Sequence, residues 1–162
     1  MSLTSIEHKI FTWEKLAIQC RAWQSKGEKI VFTNGCFDIL HFGHLHYLAA
    51  AKKLGNRLVI GMNAGSSVAR LKGQHRPIQD EKTRTFMIAS LQYVDAVTIF
   101  EEDTPLALIK TIQPDILVKG GDWSIENIVG AEFVLKRGGQ VKSLPFIEGY
   151  STTAIETKIK ES

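Results

Sequence analysis

Short runs of β-branched and aliphatic residues alternate with helical stretches through most of this chain, and that alternation restricts the folds open to it. Ile30, Val31 and Phe32 lie in a run over 29–34, and Leu58, Val59 and Ile60 in a run over 57–63. Further runs occupy 96–100, 116–119 and 141–144. Runs that are apolar throughout suit strands covered on both faces. Between them, Trp13, Leu16, Cys20 and Trp23 share one face of a helix over about 12–26, with Gly27 as its stop. The alanine-rich stretch 44–54 ends at Gly55, and Asp80 is placed to cap a helix reaching about Leu91. Thr104 and Pro105 open another helix, which must end before Pro114. Residues 131–137 read as a helix stopped by Gly138 and Gly139, and 151–160 close the chain as a helix. The pattern predicts an α/β fold: a Rossmann-like parallel five-stranded sheet with helices on both faces. Ligands of such sheets bind beyond the carboxyl ends of the strands, so the residues directly after each strand are the ones to inspect. The polar stretch 65–79 reads as a loop able to close as a flap.

Composition narrows the function classes. With 162 residues, 44% of them hydrophobic, the chain suits one domain over 1–162, its core at about 29–160. The net charge of +3 is scattered rather than blocked, which argues against a nucleic-acid partner and fits an anionic small molecule. No apolar run approaches membrane-spanning length. Residues 1–11 mix Glu7, His8 and Lys9 with isolated apolar residues, unlike a secretory signal. Cys20 and Cys36 form no metal or redox spacing. The expected compartment is the cytoplasm, with no membrane partner; self-association is compatible with all of this.

The segment Asn34-Gly35-Cys36-Phe37-Asp38-Ile39-Leu40-His41-Phe42-Gly43-His44 leaves the first strand and opens a helix. Its two histidines are three apart, a spacing that puts both rings on one helical face. Free N–H groups and the dipole make a helix start attractive to phosphate, and Gly43 lets a ligand approach the backbone. Two imidazoles there can stabilise negative charge growing at phosphorus. As a metal site the pair lacks an evident third ligand. A dinucleotide oxidoreductase would carry G-x-G-x-x-G here, and the residues between Gly35 and Gly43 are bulky.

This string resembles G-x-F-D-x-x-H-x-G-H, the signature of the cytidylyltransferase-like nucleotidyltransferases, and Gly35, Phe37, Asp38, His41, Gly43 and His44 fill its fixed positions. The resemblance implies transfer of a nucleotidyl group from a nucleoside triphosphate. It assigns His41 and His44 to the triphosphate and its transition state, and Cys36 becomes a small residue packed beside the nucleotide. Ser151, Thr152 and Thr153 resemble the family's second motif, which holds the β- and γ-phosphates at the start of the last helix. Lys72, in the expected flap, is assigned to the triphosphate, and Arg76 and Arg84 are weaker phosphate candidates. Mg²⁺ is expected to accompany the ATP, although no carboxylate pair stands out to bind it.

After the fourth strand, Lys119, Gly120, Gly121 and Asp122 offer a cation, close backbone approach and an acceptor for sugar hydroxyls. Together with Asp38 they are the expected substrate contacts. The strings 33–41, 70–73, 76–77, 102–105, 117–122 and 151–153 look like the heptose 1-phosphate adenylyltransferases. Relatives that transfer cytidylyl groups carry an arginine shortly before the Ser-Thr-Thr, and 145–150 has none. The branch implies ATP and D-glycero-β-D-manno-heptose 1-phosphate as substrates, with ADP-heptose for lipopolysaccharide core synthesis as the product. In many bacteria that activity is fused behind a sugar kinase; here the expectation is a free-standing transferase or one excised domain. Rival readings are another phosphorylated acceptor, such as a glycerol phosphate, a flavin or a pantetheine derivative, and a non-catalytic nucleotide-binding regulator.

Overall fold

The computed structural model describes residues 3–162. In chain order the elements are α1 (Thr4–Glu7), α2 (Trp13–Gln24), β1 (Ile30–Gly35), α3 (Phe42–Lys52), β2 (Arg57–Asn63), α4 (Gly65–Lys72) and α5 (Glu81–Ala89). They continue with β3 (Ala96–Phe100), α6 (Leu106–Ile112), β4 (Ile116–Gly120), a 3-10 turn (Ile125–Asn127), α7 (Ala131–Lys136), β5 (Gln140–Leu144) and α8 (Thr152–Glu161). All strand pairs are parallel, in the order β3-β2-β1-β4-β5.

Alternation along the strands sends side chains to two cores. Ile30, Phe32, Val59 and Leu117 pack on one face with Leu16 and Cys20 of α2, Leu108 and Ile109 of α6, and Val134 of α7. Val31, Leu58, Ile60, Met62 and Val118 pack on the other with Leu48 and Ala51 of α3 and Ile88 of α5. Burial on both sides is why these runs are apolar throughout. The chain moves outward from β1 in both directions, so strand order reverses between β1 and β4. That switch point opens a crevice at the carboxyl ends of these two strands. The outer edge of β3 is partly covered by residues 9–11, where Phe11 N–H donates to the Val97 carbonyl and Val97 N–H to the Lys9 carbonyl.

The structure corrects the reading of 65–79. Residues 65–72 are helical, and only 73–80 remain irregular. Gly65 and two serines are poor helix formers and hid the pattern. Tertiary contacts supply what propensity lacks: Gly65 N–H donates to Glu81, and the buried Ser67 hydroxyl donates to the Glu102 carbonyl while accepting from Asn63. The helix expected to begin on Pro105 starts one residue later, at Leu106.

Two aspartates fix the opposite, amino-terminal edge of the sheet. Asp115, just before β4, accepts the Ile30 N–H at 2.8 Å and a Gln24 amide N–H at 3.1 Å. Asp95, just before β3, accepts the Leu58 N–H at 2.8 Å and pairs with Lys52 and Arg57. Each carboxylate satisfies the start of a neighbouring strand that no ladder bond reaches. Asp95→Ala leaves the buried Leu58 amide unpaired and is expected to lower stability by about 1–3 kcal/mol. Urea denaturation checks the loss, and turnover per folded molecule should hold, because Asp95 lies at the sheet edge away from the crevice.

Candidate active site

β1 ends at Gly35, and the chain leaves the sheet through 36–41. Phe37 adopts φ 45°, a backbone region bulky residues rarely enter, and is buried there at 6% exposure. Its ring lies across Gly35, where an added Cβ would sit 2.8 Å from the ring. This turn delivers His41 to the N-cap of α3 in an extended conformation, with His44 inside the first turn. His41 is therefore not helical itself, yet the two rings stack at 3.9 Å between centroids. His44 also meets the Phe37 ring edge-on at 5.3 Å. A Cβ on Gly43 would lie 3.0 Å from the His41 ring and 3.2 Å from Tyr150 Cβ, so a side chain there would push α3 away from the segment that opens α8.

Two hollows meet at this exit. One, of about 270 Å³, is lined by His44, Lys72, Lys119, Phe146 and Thr152 along with Gly35, Cys36 and Phe37. The other, of about 300 Å³, lies in the crevice between β1 and β4 and is lined by Asn34, Asn63, Asp103, Thr104 and Asn127. Both share Asn34, Gly35, Cys36, Lys119 and Trp123. Gly120 lines the first hollow, and its backbone passes so close to Phe146 that a Cβ would lie 2.7 Å from the ring.

The electrostatics suit an anionic visitor. Burial, with His41 and Lys72 nearby, lowers the His44 pKa to about 4, and burial also lowers that of His41. Both imidazoles are thus neutral at pH 7. The Nδ1 atoms of both are buried without a protein partner. Burial pushes the Cys36 thiol up, which keeps it a neutral S–H, as a packing residue requires and a nucleophile does not. Burial lowers the Lys119 pKa.

Some expected ligand contacts are differently engaged. Asp38 is 2% exposed, and its carboxylate accepts from Ile78 N–H, Gln79 N–H and Arg76, all within 3.0 Å. Burial alone would raise its pKa, but the two amides and the guanidinium outweigh that and hold it below the ordinary value. Its carboxylate is therefore engaged by the 76–79 loop, while the residue still borders the first hollow. Arg84 is fully buried and donates from one nitrogen to the Cys36 and Asn63 carbonyls at 2.7 and 2.9 Å, while its Nε and other terminal nitrogen have no protein partner. Arg76 is held between carboxylates of Asp38 and Glu156. Asp122, expected to work with Lys119, lines a separate shallow recess with Ser143 and Phe146. Ser151 caps α8, its hydroxyl accepting the Ala154 N–H at 3.0 Å, while Thr152 faces the hollow and Thr153 is exposed. The sequence reading missed Asn34, Asn63 and Asn127. The first two close β1 and β2 and were reachable by the rule of inspecting strand ends; Asn127 follows no strand and only the fold brings it there.

The histidine environment has a measurable consequence. His44 binds a proton in the unfolded chain below about pH 6.5 but in the folded chain only near pH 4. Between these values the unfolded state holds more protons. His44 therefore contributes stability that is complete above about 6.5 and lost as pH falls toward 4. NMR titration should show one ring titrating near 4 that disappears in His44→Gln, whose stability should fall less over the same range. A ring titrating at its ordinary value would contradict the burial argument.

Residues 32–158 match the family described as cytidylyltransferase-like. The chain is 50% identical over 156 residues to the bifunctional protein HldE of Citrifermentans bemidjiense, covering 96% of this chain and 32% of that one. It is 50% identical over 157 residues to the bifunctional protein HldE of Campylobacter fetus, covering 97% of this chain and again 32% of the relative. The chain thus spans about a third of the length of these relatives. Among solved structures, it resembles a lipopolysaccharide core biosynthesis protein from Thermoplasma volcanium with a TM-score of 0.60 and 34% identity, over 77% of this chain and all of that one. A pantoate-β-alanine ligase from Francisella tularensis, 15% identical with a TM-score of 0.60 over 93% of this chain and 76% of that one, shares the fold. With Gly35, Phe37, Asp38, His44 and Thr152 of the motifs lining one hollow and this match over most of its length, the chain belongs to the cytidylyltransferase-like family and is a nucleotidyltransferase.

Proposed function

We propose that this chain transfers the adenylyl group of ATP to D-glycero-β-D-manno-heptose 1-phosphate, giving ADP-heptose and pyrophosphate for lipopolysaccharide core synthesis in the cytoplasm. The observation that carries the reading is the pair of hollows joined at Cys36 and Lys119. Two substrates bound side by side need two compartments with the reacting atoms at their junction. The hollow with His44, Lys72 and Thr152 suits a triphosphate. The hollow between β1 and β4 is walled largely by apolar side chains such as Leu71, Leu117, Val118 and Ile128. Of its polar groups Asn63, Asp103 and Asn127 are already bonded to Ser67, Arg70 and Ser124, which leaves Asn34 and Thr104 to meet acceptor hydroxyls. Lys119 borders both, where it can hold the acceptor phosphate against the α-phosphate. The likeness to proteins named HldE and to a lipopolysaccharide core biosynthesis protein supports the branch.

In the reaction, an acceptor phosphate oxygen attacks the α-phosphorus of ATP, forming one P–O bond as the bond to the bridging oxygen of the β-phosphate breaks. Pyrophosphate leaves with that oxygen. His41 and His44 donate hydrogen bonds to the charge that develops, and Lys72 and the start of α8 hold the departing phosphates. No enzyme nucleophile is needed. Among the described residues, no three His, Cys, Asp or Glu side chains converge as a metal site, and the Asp38 carboxylate is engaged elsewhere. Mg²⁺ would come with the triphosphate, beside Lys72 and Lys119. When bound, the ion neutralises phosphate charge. Among the described residues, no helix is long and apolar enough to cross a membrane.

His44→Ala should lower kcat on the order of a hundredfold while ATP KM changes little, as befits a donor that acts on the transition state. Pyrophosphate release over a matrix of nucleoside triphosphates and phosphorylated acceptors tests the substrates. ATP with the heptose phosphate should give the highest kcat/KM, and glycerol 3-phosphate should be poor, because it leaves Asn34 and Thr104 in the second hollow without partners. A better result for CTP with glycerol 3-phosphate would overturn the branch and leave the reaction class standing.

A further inference from the structure

α8 starts with the hydroxyls of Ser151, Thr152 and Thr153, yet none of its residues is buried. Its hydrogen bonds are internal, and among the described residues one polar tie joins it to the rest of the chain, the ion pair of Glu156 with Arg76. The other nitrogen of the Arg76 fork donates to Asp38 Oδ2 at 2.9 Å. Asp38 in turn accepts from the Ile78 and Gln79 amides, fixing the loop that follows Lys72. One guanidinium therefore connects three elements around the first hollow: the β1 exit, the loop after α4 and the last helix. The Arg76 and Glu156 side chains are only 20% and 24% exposed, and that of Asp38 is 1% exposed. Glu156 lies four residues after Thr152, on the same face of α8. The face pinned to Arg76 is the face that presents Thr152 to the hollow.

We propose that Arg76 and Glu156 are positioning residues for the nucleotide triphosphate, a latch that sets how closely the N-terminus of α8 approaches the hollow beside His44. The latch acts through Thr152 and the helix amides. It rests on the reading of this hollow as the triphosphate site. A half-buried pair of this kind contributes modestly in a well-packed helix. In α8 it carries more of the docking, because no side chain of the helix is fully buried and only Thr152 and Ile155 are half-buried beside Glu156.

Glu156→Gln removes the tie to α8 and leaves the Arg76–Asp38 pair in place, so the motif loop should fold as before. Two readouts separate the latch from the proposed reaction. Hydrogen exchange without substrate should be about fivefold faster over α8 in Glu156→Gln, with α5 unchanged, as expected for loss of an interaction of this size. In pyrophosphate release, ATP KM should rise about fivefold while the acceptor KM stays the same. Unchanged exchange over α8 would overturn the latch. Faster exchange with unaltered ATP kinetics would overturn its role in positioning. If the wild-type chain releases no pyrophosphate with any pair of substrates, the proposed reaction fails; ATP affinity by calorimetry then decides the latch, a weaker Kd in Glu156→Gln supporting it and an equal Kd overturning it.

Discussion

The site depends on how β1 and β2 part company. Their register ends at the Gly35–Met62 pair, and one residue further on the Cys36 and Asn63 carbonyls have no ladder partner. Arg84, fully buried on α5, donates to both from one nitrogen. Buried carbonyls without partners are costly, so this fork is what lets the two strands separate at the crevice instead of continuing as a sheet. Everything downstream follows from the separation: Phe37 turns with positive φ, His41 reaches the N-cap of α3, and the two hollows open on either side of Cys36.

Around that exit the charges are sorted. The carboxylates near the histidines face away, Asp38 into the 76–79 loop and Glu156 toward Arg76. The first hollow is bordered by Lys72, Lys119, Thr152 at the start of α8 and the His44 imidazole, kept uncharged by burial, and the one carboxylate residue on its wall, Asp38, is already bonded to Arg76 and two amides. A polyanion entering such a place meets donors already oriented, beside a carboxylate whose charge Arg76 offsets. The neutral imidazoles matter too, since two adjacent imidazolium rings stacked at 3.9 Å would repel each other before any ligand arrived.

The fold class was legible because both faces of the sheet are covered, which forces continuous apolar strands, and because caps such as Asp80 and stops such as Gly27 mark helix ends locally. The motif from Gly35 to His44 was legible for the same reason: its turn is made by adjacent residues. Helix α4 was not, since it depends on partners at Glu81 and Glu102, sixteen and thirty-five residues from the groups they hold. The hollow between β1 and β4 was only half legible. Asn34 and Asn63 stand at strand ends, but Asn127 joins them through the 3-10 turn, which no local pattern announced.

By itself, then, the sequence determined the alternation of strands and helices, the phosphate-ready start of α3 and the identity of the groups available there. Those properties reside in neighbouring residues and in hydrophobic period, and need no distant contact. Tertiary structure alone decided which charged groups remain free to act. Asp38, Arg76 and Arg84 look in the sequence like ligand contacts, but the fold pairs Asp38 with the 76–79 loop, Arg76 with two carboxylates and Arg84 with two strand-end carbonyls. Lys119 and Asp122, three residues apart, end up bordering different hollows. A buried polar group must find partners wherever the chain brings them, and that pairing is settled in space, across separations that sequence spacing does not encode.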